Sequence, residues 1–140
     1  MTDEAALREN MMRLETAKAQ LEALAKQQEL IQLAVEEHVK ARETVKNLVK
    51  SAPGDELMVP VGADSYIFAK SSERKDVVLG VGSGVSVQRN AEEAEKMLDS
   101  RVEELAQAFQ RVAEMAVQTE EAIQELTEKI QRQYEGSRPD

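Results

Sequence analysis

Two stretches of this chain run for more than forty residues each without a glycine or a proline. The first reaches from about Ala5 to Lys50 and the second from Asn90 to about Tyr134. Both are rich in Ala, Leu, Glu, Gln and Lys, which favour helix. An alternating 3,4 spacing can be laid along the first: Leu7, Asn10, Leu14, Ala17, Leu21, Leu24, Gln28, Ile31, Val35, His38, Arg42, Val45 and Val49. Nine of these thirteen are apolar. The second gives Ala91, Glu95, Leu98, Val102, Leu105, Phe109, Val112, Ala116, Thr119, Ile123, Leu126, Ile130 and Gln133, with ten apolar. A 3.5-residue period is that of a coiled coil. At ~1.5 Å per residue each helix would reach roughly 65 Å, too long for a small globule. Nearly equal lengths predict that the seams run antiparallel and are used up together, giving a rod with both termini at one end.

The punctuation between the helices is strong. "SAPGDE" ends the first: Pro53 lacks an amide hydrogen and disfavours helical geometry at Ala52, while Gly54 supplies a turn. "NAEE" opens the second, with Asn90 as cap and Glu93 three residues on. "EGSRPD" reads as a frayed polar tail. The regions are therefore 1–52, 53–89 and 90–140.

The middle region has another character. "ELMVPV", "SYIFAK", "VVLGV" and "VSVQR" are short and rich in β-branched and aromatic residues, separated by "GAD", "SSERKD" and "GSG". Val77, Leu79 and Val81 alternate, as do Val85 and Val87, and Tyr66 and Phe68. Four strands in two hairpins follow, with Pro60 at an edge. So little sheet cannot bury both faces, and an isolated hairpin is marginal in water, so another subunit must cover it. The fold class is mainly α with a small β segment: a long antiparallel coiled-coil hairpin joined by two β-hairpins that assemble into an oligomeric β-barrel platform.

Composition narrows the function. Of 140 residues, 32% are charged and only 3% aromatic, and the net charge is −9. An acidic chain is a poor match for a phosphate backbone, so no nucleic-acid partner is expected. Without cysteine there are no disulfides and no thiolate metal sites. No apolar run approaches the ~18 residues of a membrane span, and "MTDEAALREN" is no secretory signal, so a soluble cytoplasmic protein is expected.

The glycine cluster in "VVLGVGSGVSV" (77–87) resembles a phosphate cradle at first. Neither Gly80-x-Gly82-x-x-Val85 nor Gly82-x-Gly84-x-x-Val87 has the third glycine of a dinucleotide fingerprint, and a strand follows instead of a helix N-terminus. The glycines read as a hairpin bend, and in a small barrel Gly80 would also mark a close backbone approach. His38 is the one histidine and falls on the first seam, where it reads, with Gln28 and Thr119, as a polar interruption that fixes register. The pairs Glu36-Glu37, Glu92-Glu93, Glu103-Glu104 and Glu120-Glu121 read as solvated faces, because helical neighbours point about 100° apart. No constellation for acid–base or nucleophilic chemistry emerges, so no enzyme, cofactor or metal is expected.

The order helix, "VPVGADSYIFAK", "VVLGVGSGVSVQRNAEEA", helix resembles the α class of the prefoldin family over essentially the whole chain. The resemblance implies two hairpins where a β-class subunit has one, and a hexamer of two α-class and four β-class subunits. It implies a joined pair of β barrels with six coiled coils hanging from it, whose tips hold unfolded protein without ATP and pass it to a group II chaperonin. Assembly would then rest on Val59, Val61, Tyr66, Ile67, Phe68, Val77, Leu79, Val81, Val85 and Val87, and client binding on Leu7, Met11, Met12, Leu14, Ile123, Leu126, Ile130 and Tyr134. Leu7, Leu14, Ile123, Leu126 and Ile130 lie on the seams, where mutual coiled-coil packing is the alternative reading; Met11, Met12 and Tyr134 lie off them, and flexible Met side chains suit varied apolar partners. The alternative is a structural coiled-coil adaptor whose hairpins dock one folded partner.

Overall fold

The computed structural model describes residues 2–136. Residues 137–140, the last four of the expected polar tail, lie outside the described residues, whereas Glu135 and Gly136 belong to a helix. The order is α1 (Thr2–Lys50), β1 (Glu56–Gly62), β2 (Ser65–Lys70), β3 (Asp76–Gly82), β4 (Val85–Asn90) and α2 (Ala91–Gly136). Two compact units result: residues 1–32 with 108–140, and residues 33–107.

The first unit is a helix pair. Its core is Leu24, Val112 and Ala116, with Leu21 and Ile31 packed against them. Every seam position within it is buried or half-buried, from Leu7 to Ile31 on α1 and from Phe109 to Gln133 on α2. The threonines at 16, 119 and 127 return their hydroxyls to the carbonyls of Met12, Met115 and Ile123 in their own helix.

The second unit joins the ends of the helices to the hairpins. Val45, Leu79, Ala91, Ala94 and Leu98 form its core, with Val77, Val87 and Met97 among the residues packed on it. Its seam positions, Val35 to Val49 and Ala91 to Leu105, are likewise buried or half-buried. Arg42 pairs with Asp99 across the seam at 3.5 Å. Leu98 is 3% exposed. Leu98→Ala is expected to cost about 2–5 kcal/mol, read as a lower urea midpoint by far-UV circular dichroism.

The junctions are held by polar contacts placed where helix ends leave orphan groups. The Asn90 Oδ1 accepts the Glu93 amide at 2.9 Å, so the expected cap of α2 is present. At the end of α1 the Lys75 ammonium donates to the carbonyls of Val49 and Ser51, where the helix dipole favours a cation. The buried Ser71 hydroxyl donates to Ala52 O at 2.6 Å, and the Ser71 carbonyl accepts the Gly54 amide at 2.7 Å. Ser71→Ala would leave the Ala52 carbonyl without this donor. The expected loss is about 1–2 kcal/mol, seen as a lower thermal midpoint with helical content retained. At the start of β3 the Arg74 guanidinium, aided by Gln88, holds the Asp76 carboxyl below its ordinary value. Its folded value is the lower one, so that contribution is present above the ordinary carboxylate range and is lost as pH falls through the lowered value.

Each hairpin is a separate two-stranded antiparallel sheet. In both, the ladder shifts by one residue just before the turn: between Pro60 and Gly62 in the first, and between Gly80 and Gly82 in the second. The turns match as well, with positive φ at Gly62, Ala63 and Asp64 and at Gly82, Ser83 and Gly84. Glu56–Ser65 and Asp76–Val85 thus form an internal repeat twenty residues apart, bulge included. The glycines at 82 and 84 are the bend of the second hairpin. Within the chain itself, no atom lies within 4 Å of where a Gly80 Cβ would be. The Gly80 carbonyl accepts the Arg101 guanidinium at 2.7 Å.

Candidate functional site

The hairpins expose two apolar surfaces that the strand register explains. Cross-strand partners share a face. In the first hairpin Met58 pairs with Phe68 and Pro60 with Tyr66, so these four lie on one face; Leu57 with Ala69 and Val59 with Ile67 lie on the other. Phe68 is 72% exposed, and Met58, Ile67 and Tyr66 are exposed too. In the second hairpin Val77 and Leu79 with Val87 face the unit's own core, whereas Val78, opposite Gln88, is 69% exposed.

The ten expected assembly residues therefore divide. Val61, Tyr66, Ile67, Phe68, Val81 and Val85 are open. Val59 is half-buried, Leu79 is in the core, and Val77 and Val87 pack on it. The expected alternation of Val81 with Val77 and Leu79 fails because the one-residue bulge interrupts the period of two. Met58 and Val78 were missed: they occupy equivalent positions in the repeat, and that repeat was the available signal.

Between α1 and the first hairpin runs an open groove of about 700 Å³, lined by Leu33, Ala41, Val45, Val59, Pro60 and Tyr66 among others. Lys40 and Asp64, also on its lining, approach to 3.4 Å; with Asp64 almost fully exposed, the pair contributes little to stability.

At the end of the first unit, where α1 begins and α2 finishes, lie the expected client-binding residues. Leu7, Leu14, Ile123, Leu126 and Ile130 are half-buried in the seam. Met12 is 71% exposed, and Met11 and Tyr134 are more than half exposed. The polar seam residues behave in two ways. His38 directs Nδ1 to Ala34 O at 2.7 Å and Thr119 bonds Met115 O, each in its own helix, so neither links the helices as a register device would. Asn10 does link them: its Nδ2 donates to Gln133 Oε1 at 3.0 Å.

The acidic pairs at 36–37, 92–93, 103–104 and 120–121 are all exposed, as expected of solvated faces. Among the described residues no group of three or more His, Cys, Asp or Glu side chains could hold a metal ion. No described helix is long and apolar enough to cross a membrane.

Comparison with known proteins agrees with this architecture. The family model for the prefoldin subunit matches residues 6–136. The chain is 33% identical to prefoldin subunit alpha of Pyrococcus horikoshii over 81% of its length and 77% of that protein. It is 37% identical to prefoldin subunit alpha of Methanothrix thermoacetophila over 67% of its length, a match that spans only 61% of that relative. Two solved structures share the fold. One is filamentous PFD from Methanocaldococcus jannaschii, with TM-score 0.53 and 24% identity, covering 88% of this chain and 96% of that one. The other is the prefoldin beta subunit from Thermococcus strain KS-1, with TM-score 0.59 and 18% identity, covering 96% and 95%. At these identities the structures speak for the fold alone, and the sequence relatives speak for the class. A family model that spans 6–136, with alpha subunits among its sequence relatives, makes this chain a member of the prefoldin family, of the α class.

Proposed function

We propose that this chain is the α-class component of an ATP-independent holdase. Two copies join four β-class subunits through the hairpins, whose strands close into the barrel platform. The ends of the helix pairs hold non-native protein in the cytoplasm and pass it to a group II chaperonin. No step needs a cofactor or bond chemistry.

The observation that carries the client-binding half is the exposure of Met11, Met12 and Tyr134 beside a half-buried apolar seam. An unfolded chain offers apolar segments of no fixed sequence. Unbranched, polarisable Met side chains adapt to such partners. Each contact is weak, and several helix-pair ends acting on one client raise the effective affinity without tight binding at any one. Release to a chaperonin then needs no energy source, because every contact is individually reversible.

The observation that carries the assembly half is the open apolar face of the first hairpin. Fully burying a large apolar side chain stabilises by about 1.5–3 kcal/mol. Met58, Tyr66 and Phe68 on that face leave much of that unrealised in the isolated chain. Partner strands at the free sheet edges would cover these residues and pair the open backbone groups together.

The test is removal of about three helical turns from the start of α1 and the end of α2 in the reconstituted hexamer. Sizing should still report a hexamer, and protection of a denatured client from aggregation should fall. Undiminished protection would exclude these ends as client sites of this subunit.

A further inference from the structure

The most buried side chain in the outer part of the first unit is polar. Asn10 is 5% exposed, while its apolar neighbours on the seam, Leu7 and Leu14, are only half-buried. Between residues 3 and 20 no other side chain is buried, and on α2 none is buried between 120 and 136. Its amide donates to Gln133 Oε1 across the helix pair at 3.0 Å. Both residues occupy seam positions, where the period otherwise asks for apolar groups.

We propose that the Asn10–Gln133 pair is a positioning device for client capture: it fixes the register of the helix ends when closed and marks the point at which they open. The register argument is geometric. Only this alignment places the two amides opposite each other. A slip of one heptad breaks the pair, setting Asn10 against Leu126 in one direction or Gln133 against Ala17 in the other.

The opening argument is energetic. Two leucines here would lose the hydrophobic contribution when the ends separate. Two amides exchange one bond with each other for bonds to water, so separation at this level is nearly isoenergetic. Leu7 and Tyr134 lie on the outer side of the pair, and Met11, Met12, Leu14 and Ile130 lie on its inner side, within about one turn of it. Opening that starts at the amide pair and spreads one turn inward therefore turns Leu7, Leu14 and Ile130 from half-buried seam residues into client-facing ones beside Met11 and Met12, while the core at Leu24, Val112 and Ala116 stays packed. Local opening of a low-stability segment is the expected behaviour of a site that must accept varied partners.

The proposal rests on the reading that these ends bind clients, and the experiment separates the two. Hydrogen exchange of residues 3–14 and 126–134 is measured in the hexamer for N10L/Q133L, for N10A and for the swap N10Q/Q133N. The leucine pair should slow exchange there about tenfold or more and reduce client protection several-fold at unchanged hexamer mass. N10A, which orphans Gln133, should speed exchange. The swap should restore the wild-type rate by rebuilding the bond. Unchanged exchange in N10L/Q133L, or no recovery in the swap, would overturn the device. Slowed exchange with full client protection would overturn its role in capture. A failure of client binding at these ends would be seen separately, as full protection by M11S/M12S/Y134S.

Discussion

Replacing Met58 and Phe68 together by aspartate is expected to abolish hexamer formation while leaving the chain helical. The two side chains oppose each other on the open face of the first hairpin and are 53% and 72% exposed. Neither is in a core cluster of the chain, so the fold itself loses little. Assembly loses the burial of two large apolar groups, about 1.5–3 kcal/mol each, and must also desolvate two carboxylates. The sum is several kcal/mol per subunit, more than a hundredfold in an association constant. Size-exclusion chromatography with light scattering, after mixing with a β-class partner, reads it directly. The double variant should elute as unassembled subunits. The equivalent change in the second hairpin, Val78→Asp, should be milder, because Val77, Leu79 and Val87 anchor that hairpin to its own core.

The second large effect concerns the helix ends. M11S/M12S/Y134S removes the three most exposed apolar side chains there and leaves every seam position intact. The hexamer should form, and protection of an aggregating client should fall several-fold. Because the proposed β-class partners would present helix ends too, a photo-crosslinker at position 12 in otherwise unaltered hexamer distinguishes who touches the client. Crosslinks from a denatured client to this subunit are expected; crosslinks only to its partners would contradict the assignment.

The helical seams were legible because one physical rule dominates them. A long helix with few aromatic residues gains stability only along its apolar stripe, so the 3,4 spacing alone identifies the faces. All the seam positions read from spacing are buried or half-buried, including the polar ones. The Asn90 cap and the turns at 62–64 and 82–84 were legible for a similar reason, since cap and turn chemistry is local. The hairpin faces were not. Period two predicts them only when the ladder is regular, and a single extra residue at Val61 or Val81 shifts the phase. Val87 and Ile67 hold equivalent places in the two hairpins; one packs on a core and the other is 52% exposed. The difference comes from which hairpin rests on the Val45–Leu98 core, a tertiary fact with no local signal. The cross-helix partnership of Asn10 and Gln133 was half visible. Both were placed on seams, but pairing them needed the antiparallel register.

The central claim is that the assembled subunit protects non-native protein of no particular sequence. Its most direct test uses the hexamer reconstituted with a β-class partner and several unrelated denatured proteins, with no nucleotide present. Aggregation of each is followed by light scattering at increasing hexamer. The account predicts suppression of all of them at near-stoichiometric hexamer, and weak or absent binding to the same proteins when native. No protection of any denatured client, together with saturable binding to one folded protein, would contradict it and leave a structural adaptor in its place.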